Sequence, residues 1–264
     1  EERNPLLTST FGTGMLIKQA IENGAEKIIL GLGGSATNEG GTGILSALGF
    51  QLVSEIGDHL EASGENLLSI RKIIPPSFIP NVKFEIACDV QNILYGRRGA
   101  AYIYAPQKGA NKEQVKLLDK GLRNLARIIK EQTGRDISTI PGTGAAGGIA
   151  AGLLAFFDVR MKKGIEMIIE AGEIEQKIPG ADLVITGEGK IDDQSGEGKV
   201  VGHIAGLAKK YGVPCIGFCG TADLDKTAIK KLGLKKIIAL QDGTVTNKEA
   251  MNNAAVLLKE KAKT

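Results

Sequence analysis

The chain has no tryptophan, and its few Phe and Tyr residues bring the aromatic content to only 4%. Rings on which unpaired bases stack are therefore scarce, and a net charge of +3 over 264 residues offers no strongly basic surface. Both absences argue against a nucleic-acid partner. The only histidines are His59 and His203, too few for an imidazole-rich zinc site and a poor basis for a Ser-His-Asp hydrolase. Three cysteines, Cys88, Cys215 and Cys219, make neither an even disulfide framework nor paired metal couples. Each lies in an apolar run, as buried thiols in a reducing compartment do. No uninterrupted apolar stretch approaches the ~20 residues of a membrane span. The opening Glu1-Glu2-Arg3-Asn4-Pro5 lacks the basic-then-apolar order of a secretory signal. With 42% hydrophobic and 24% charged residues, the expectation is a soluble, cytoplasmic globular protein without a membrane partner.

What is plentiful is glycine, at 36 residues. The densest stretch follows the apolar run Ile28-Ile29-Leu30 and reads Gly31-Leu32-Gly33-Gly34-Ser35-Ala36-Thr37-Asn38-Glu39-Gly40-Gly41-Thr42-Gly43. A strand delivering a ligand-binding loop fits this order, because glycine permits tight turns and close backbone approach. The helix-compatible residues Ile44 to Leu48 come next, so the expectation is a helix N-terminus whose free N–H groups suit a phosphate. A second glycine loop, Pro141-Gly142-Thr143-Gly144-Ala145-Ala146-Gly147-Gly148, contains G-x-G-x-x-G, but Ile137 to Ile140 is a poor feeding strand for a dinucleotide fingerprint.

Periodicity supplies the surrounding elements. A helix is expected from about Thr10 to Asn23, a strand over 27–32 and another over 82–88 that ends in Asp89. Residues 50–81 are expected to be irregular or edge structure, and 100–105 to form a strand emptying into Pro106-Gln107-Lys108-Gly109-Ala110. The clearest helix starts at Asn111, with Gln114 in capping-box position and Val115, Leu118, Leu122, Leu125 and Ile129 on one stripe. Beyond it, 149–157 and 165–175 read as helices, and 181–186 as a buried strand ending in Gly187-Glu188-Gly189-Lys190-Ile191-Asp192-Asp193. Helix, strand, helix, strand and helix then alternate over 200–210, 213–218, 222–232, 235–240 and 249–263, as in a parallel α/β sheet.

Two glycine loops, lysines in polar loops and carboxylates at strand ends suit phosphoryl transfer. That reaction needs N–H groups and cations around phosphates, carboxylates for Mg²⁺, and a group to orient the attacking hydroxyl. A Walker A loop is absent. The stretch from Gly31 to Ala36 also fits G-x-G-x-x-A, so a nicotinamide-dependent oxidoreductase is the alternative, although Thr37 to Gly43 delay the helix for that fingerprint.

Four motifs together carry a more specific resemblance: Gly31 to Gly41; Ala87-Cys88-Asp89-Val90-Gln91-Asn92 with Pro106 to Ala110; Pro141 to Gly148; and Ile185-Thr186-Gly187-Glu188-Gly189-Lys190-Ile191-Asp192 with Gly198-Lys199. In order and spacing they resemble the bacterial glycerate kinase family of the glycerate 2-kinase type. The departures are Glu39 for a usual Asp, Lys190 for a usual Arg, and Ile93 and Val201 where proline is common. The resemblance implies ATP- and Mg²⁺-dependent phosphorylation of D-glycerate to 2-phosphoglycerate by an α/β protein with two α/β domains around a cleft. Residues 1–172 would be a glycine-loop domain with a mixed sheet, and 173–264 a Rossmann-like domain with a three-layer parallel sheet; a homo-oligomer is an allowed assembly. It further implies that Gly33, Gly34, Ser35, Asn38, Lys108, Gly142, Gly144 and Gly147 bind substrate or phosphate. Asp89, Glu188, Asp192 and Lys199 are the expected catalytic residues, with Asp89 and Asp192 also the metal ligands. Family members carry a strand and an Asp-Ser-Phe-Lys-Gly segment upstream of the point matching Glu1, so a folded remnant that binds without turnover is a further expectation.

Overall fold

The computed structural model describes residues 3–192, 199–241 and 243–263. Its contacts divide the chain into two compact units, Glu1–Lys162 and Lys163–Thr264. Both are α/β, and each carries a parallel three-stranded sheet.

The first unit runs α1 (Phe11–Glu22), β1 (Lys27–Gly31), α2 (Thr42–Ala47), β2 (Gln51–Val53), β3 (Lys72–Ile74), β4 (Lys83–Ala87), α3 (Ala100–Tyr104), α4 (Lys112–Thr133), α5 (Ile149–Phe156) and β5 (Asp158–Lys162). The sheet order is β1-β4-β5, with Ile28 opposite Phe84 and Phe84 opposite Val159. Phe84 is fully buried, and its ring meets Phe157 edge-on at 5.1 Å. The amphipathic stripe of α4 joins this core through Leu118, Leu122 and Leu125, all fully buried. Asn111 caps α4, accepting from the Glu113 and Gln114 N–H groups, while the Gln114 side chain accepts from the Asn111 N–H. This is the capping box expected from the sequence.

Two readings change here. Residues 100–105 form a helix and turn rather than a strand: Ala100, Ala101 and Ala105 are buried while Tyr102 and Ile103 are exposed. That spacing is helical and not alternating. Residues 50–81, expected as irregular or edge structure, contain the short antiparallel β2–β3 pair. The second change is β5, which the sequence reading left out. Its Asp158, Arg160 and Lys162 alternate with Val159 and Met161, and an edge position accommodates the charges.

The second unit runs α6 (Gly164–Ala171), α7 (Ile174–Lys177), β6 (Val184–Ile191), α8 (Val200–Lys210), β7 (Cys215–Ala222), α9 (Lys226–Leu232), β8 (Lys236–Ala239), α10 (Asn247–Asn252) and α11 (Ala254–Lys261). The sheet order is β6-β7-β8, all parallel. Helical residues Val201, Ala205 and Ala208 pack with Ile191, Cys215, Cys219 and Leu234 in its core. Burial raises the thiol pKa of both cysteines there, as expected of packing residues. The helices expected over 165–175 and 249–263 each divide in two. Glu173 takes a left-handed conformation between α6 and α7, and Asn253 separates α10 from α11. Among the described residues, no helix is long and apolar enough to cross a membrane.

Candidate functional site

Glycine-loop geometry follows from what its residues are bonded to. Strand β1 ends at Gly31, and Leu32 still donates to the Ala87 carbonyl at the end of β4. From there the loop is tied down on several sides. Thr8 Oγ1 donates to Ala36 O at 2.8 Å, Lys108 Nζ donates to Ser35 Oγ at 2.8 Å and to Thr37 O at 2.6 Å, and the Gly40 N–H donates to Gly147 O at 2.9 Å. Gly33 and Gly34 are exposed, and a Cβ placed on either would meet no atom within 4 Å. Their backbone is therefore open to a ligand.

The start of α2 is different from the expected anion site. Its Gly43 N–H donates to Glu39 Oε2 at 2.8 Å, Thr42 Oγ1 donates to the same oxygen at 2.6 Å, and the Ile44 N–H donates to Thr10 Oγ1 at 3.0 Å. The Thr42 N–H is taken by Glu39 O. Glu39 thus fills the positive end of the helix with the chain's own carboxyl group, and the first three N–H groups of α2 are committed to protein acceptors rather than to a phosphate. This geometry also removes the pyrophosphate cradle that the nicotinamide reading required.

Glu39 is fully buried. Burial raises its pKa, and bonds from Thr42, Thr10 and Gly43 pull it only partly back. A folded-state pKa above the unfolded value means that the native state binds more protons between the two values. The contribution of Glu39 to stability is then fully present below its ordinary value of about 4.5 and is lost as pH rises through the folded pKa. Replacing Glu39 by Gln keeps an acceptor for Thr42 and Gly43 and should flatten that decline, measured as urea midpoints from pH 4 to pH 8. An unchanged slope in E39Q would assign the decline to other groups.

Beside Glu39, the side chain of Asn38 is fully buried, and neither its Oδ1 nor its Nδ2 bonds to any described residue; the same holds for Thr37 Oγ1. Such groups cost about 1–3 kcal/mol each when left unpaired, and they belong to the same loop as the exposed Gly33 and Gly34, a few residues further on.

The second glycine loop works as a packing device. The Gly142 and Gly144 N–H groups both donate to Asn92 O, at 3.1 and 2.8 Å, so these amides are committed to protein and do not present a phosphate cradle. Asn92 is itself fixed by Tyr104 Oη at 2.7 Å and by its own bond to Arg98 O at 2.8 Å. The sequence reading gave Asn92 no role, because a residue acting through its carbonyl leaves no side-chain signature. Gly147, at φ +73°, lies with its α-carbon against Thr37 O and Asn38 Cα. The two glycine loops therefore pack backbone to backbone. Asp89, exposed, follows β4 by two residues in this same unit.

In the second unit, β6 runs further than expected, so Glu188 lies within the strand opposite Cys219 and not in a loop beyond it. Its Oε2 is buried and bonds to no described residue. Asp192 directly follows the strand, with Lys190 Nζ at 3.3 Å and Lys199 Nζ at 3.5 Å. Desolvation pushes its pKa up, but the Lys190 hydrogen bond and the charges of Lys199 and Lys190 outweigh that and hold it below the usual carboxylate range. Lys199 sits immediately before α8. Asp193 and Gly198 of the expected motif lie outside the described residues. Among the described residues, no three His, Cys, Asp or Glu side chains are grouped to hold a metal by themselves.

Comparison with known proteins adds the following. The family model described as "Glycerate kinase family" matches residues 1–264. A glycerate kinase of Halalkalibacterium halodurans is 42% identical over 267 residues, covering 100% of this chain and 70% of that protein. A glycerate 2-kinase of Escherichia coli is 41% identical, covering 96% of this chain and 68% of that protein. A crystal structure assigned as glycerate kinase 2 from Salmonella typhimurium LT2 superposes with a TM-score of 0.79 at 37% identity, covering 99% of this chain and 71% of that one.

Proposed function

The chain belongs to the glycerate kinase family, a family of kinase enzymes, and on that basis we propose that it phosphorylates D-glycerate to 2-phosphoglycerate with ATP and Mg²⁺. The observation that supports a small anionic substrate is one loop that carries both the open Gly33–Gly34 backbone and, a few residues on, buried polar atoms of Thr37 and Asn38 that bond to no described residue. Gly33, Gly34, Ser35 and Asn38 are proposed to bind the glycerate carboxylate or a phosphate, with backbone N–H groups and the Asn38 amide as neutral donors. Gly147 supports that loop by packing on Thr37 and Asn38, and Gly142 and Gly144 hold their own loop to Asn92.

Mg²⁺ prefers hard oxygen ligands and keeps several waters, so one or two carboxylates together with substrate phosphates suffice to hold it. Asp192, ionised well into the acid range, fits that donor chemistry, and Asp89 is the second candidate. A bound Mg²⁺ would neutralise charge on the nucleotide phosphates. Lys199 is proposed to offset charge on the transferring phosphoryl group. Glu188, whose buried oxygen lacks a partner among the described residues, is proposed to accept the proton of the attacking hydroxyl.

The test is ADP release by this chain with Mg-ATP, which should appear only on addition of D-glycerate. Calorimetry with D-glycerate and with Mg-ATP separately complements it. Binding of neither ligand, together with no turnover, would remove the assignment for this polypeptide.

A further inference from the structure

Lys108 was read from the sequence as a cation for phosphate, yet its surroundings describe another task. It ends the short 3-10 turn Pro106–Lys108 and is only 6% exposed. The turn is pinned from outside: Gly109, at φ +99°, has its α-carbon against the Arg3 carbonyl, and Arg3 Nη1 reaches Gln107 O at 3.5 Å. From this fixed base the ammonium makes its two hydrogen bonds to the glycine loop, one to the Ser35 hydroxyl and one to the Thr37 carbonyl. These two acceptors bracket Ala36 and lie immediately before Asn38.

We propose that Lys108 is a positioning residue: it holds Ser35 and Thr37 in the conformation that presents Gly33, Gly34 and Asn38 to the substrate anion, acting through the loop and not by touching the anion. This deepens the substrate-binding role assigned above to the glycine loop and rests on it.

Charge on Lys108 opposes its burial. Desolvation pulls its pKa down to about 8, and the nearby Glu39 carboxyl only partly restores it. A lysine with a depressed folded pKa makes the native state bind fewer protons than the unfolded state between pH 8 and the ordinary lysine value. Stability conferred at this site therefore rises with pH across that window. An ammonium retained at this cost in stability, and bonded to two loop atoms, is better explained by the loop shape it enforces than by the fold as a whole.

The test compares Lys108→Met, Ser35→Ala and the double variant. Affinity for D-glycerate is read by calorimetry, stability by urea midpoint at pH 7, and loop conformation by the amide NMR signals of residues 33–38. In K108M the affinity should fall about tenfold or more, the scale of a lost charge-assisted hydrogen bond, while the urea midpoint does not fall. Adding Ser35→Ala to K108M should cost no more than about twofold further, because both changes break one device. The amide signals of residues 33–38 should shift in K108M while those of α4 stay in place. In the wild-type chain, the same loop signals should titrate with a midpoint near 8, which needs no substitution.

Fully multiplicative losses in the double variant would show that Lys108 meets the anion independently and would overturn the proposal. Unmoved loop signals in K108M would overturn it whether or not D-glycerate binds. If the wild-type chain binds no D-glycerate but K108M still shifts the loop, the substrate assignment fails and the positioning role stands.

Discussion

Alanine at Gly147 should destabilise the first unit by about 2–5 kcal/mol, a large share of the 5–15 kcal/mol that holds a typical domain together. Two costs combine. Gly147 has φ +73°, where an L side chain is strained by about 1–2 kcal/mol. A Cβ there would also fall on Thr37 O and crowd Asn38 Cα, neither of which can yield without moving the first glycine loop. Gly134, the C-cap of α4, separates the two terms. It has φ +71° but no atom within 4 Å of an added Cβ, so Gly134→Ala should cost only about 1 kcal/mol. Urea midpoints of both variants give the difference. Equal losses would show that the loops do not rest on each other in the way described.

Leucine at Asn38 should remove function while largely sparing stability. Leu has the branching of Asn in a bulkier form and replaces two buried polar atoms that bond to no described residue. Relieving their desolvation is worth about 1–3 kcal/mol and the crowding of the larger methyls costs a similar amount, so the net change in stability should be small. If those atoms are kept for the substrate, Nδ2 donating to its carboxylate and Oδ1 accepting from a hydroxyl, the same change should weaken D-glycerate binding about a hundredfold, the scale of one charge-assisted and one neutral hydrogen bond. Calorimetry and thermal unfolding on one preparation read both effects. A variant that binds normally would make Asn38 scaffolding. A loss well beyond the crowding cost of about 1–3 kcal/mol would mean that the amide has a structural partner. Proteins hold polar groups of this kind where activity needs them, at a cost in stability.

Much of this was legible in the residues. Helix α4 announced itself by its capping box and its five-residue apolar stripe, and the alternation of elements after residue 200 read as a parallel sheet because each had its own period and stop signal. The glycine loop after β1 was visible as a run of glycines following an apolar strand. What could not be read was partnership. Nothing in the order of residues says that Glu39 would turn back onto the start of α2, that Asn92 would hold Gly142 and Gly144 through its carbonyl, or that Lys108 would reach Ser35. Each depends on segments far apart in sequence. The misread strand at 100–105 has a local cause: Ala-Ala-Tyr-Ile-Tyr-Ala is apolar throughout, and only burial distinguished a helical face from a buried strand. Glu188 was misplaced because Gly187 and Gly189 looked like a loop, whereas in β6 Gly187 gives close approach to the Phe218 backbone of β7.

The Gly40–Gly147 contact also bears on the order of events when the chain folds. It closes a stretch that contains β4, α3 and all of α4, and the parallel pairs β1–β4 and β4–β5 likewise join distant segments. Contacts of such separation cannot form until the intervening chain has collapsed, and proteins rich in them fold slowly. Helix α4, with its own cap and short-range bonds, can form without that collapse, whereas the meeting of the two glycine loops requires it. Interactions made after the rate-limiting barrier govern how fast a protein comes apart rather than how fast it assembles. Folding and unfolding rates of Gly147→Ala tell on which side of the barrier the Thr37–Gly147 junction forms: faster unfolding alone would make it the latch of the first unit, and slower folding would make it part of the nucleus.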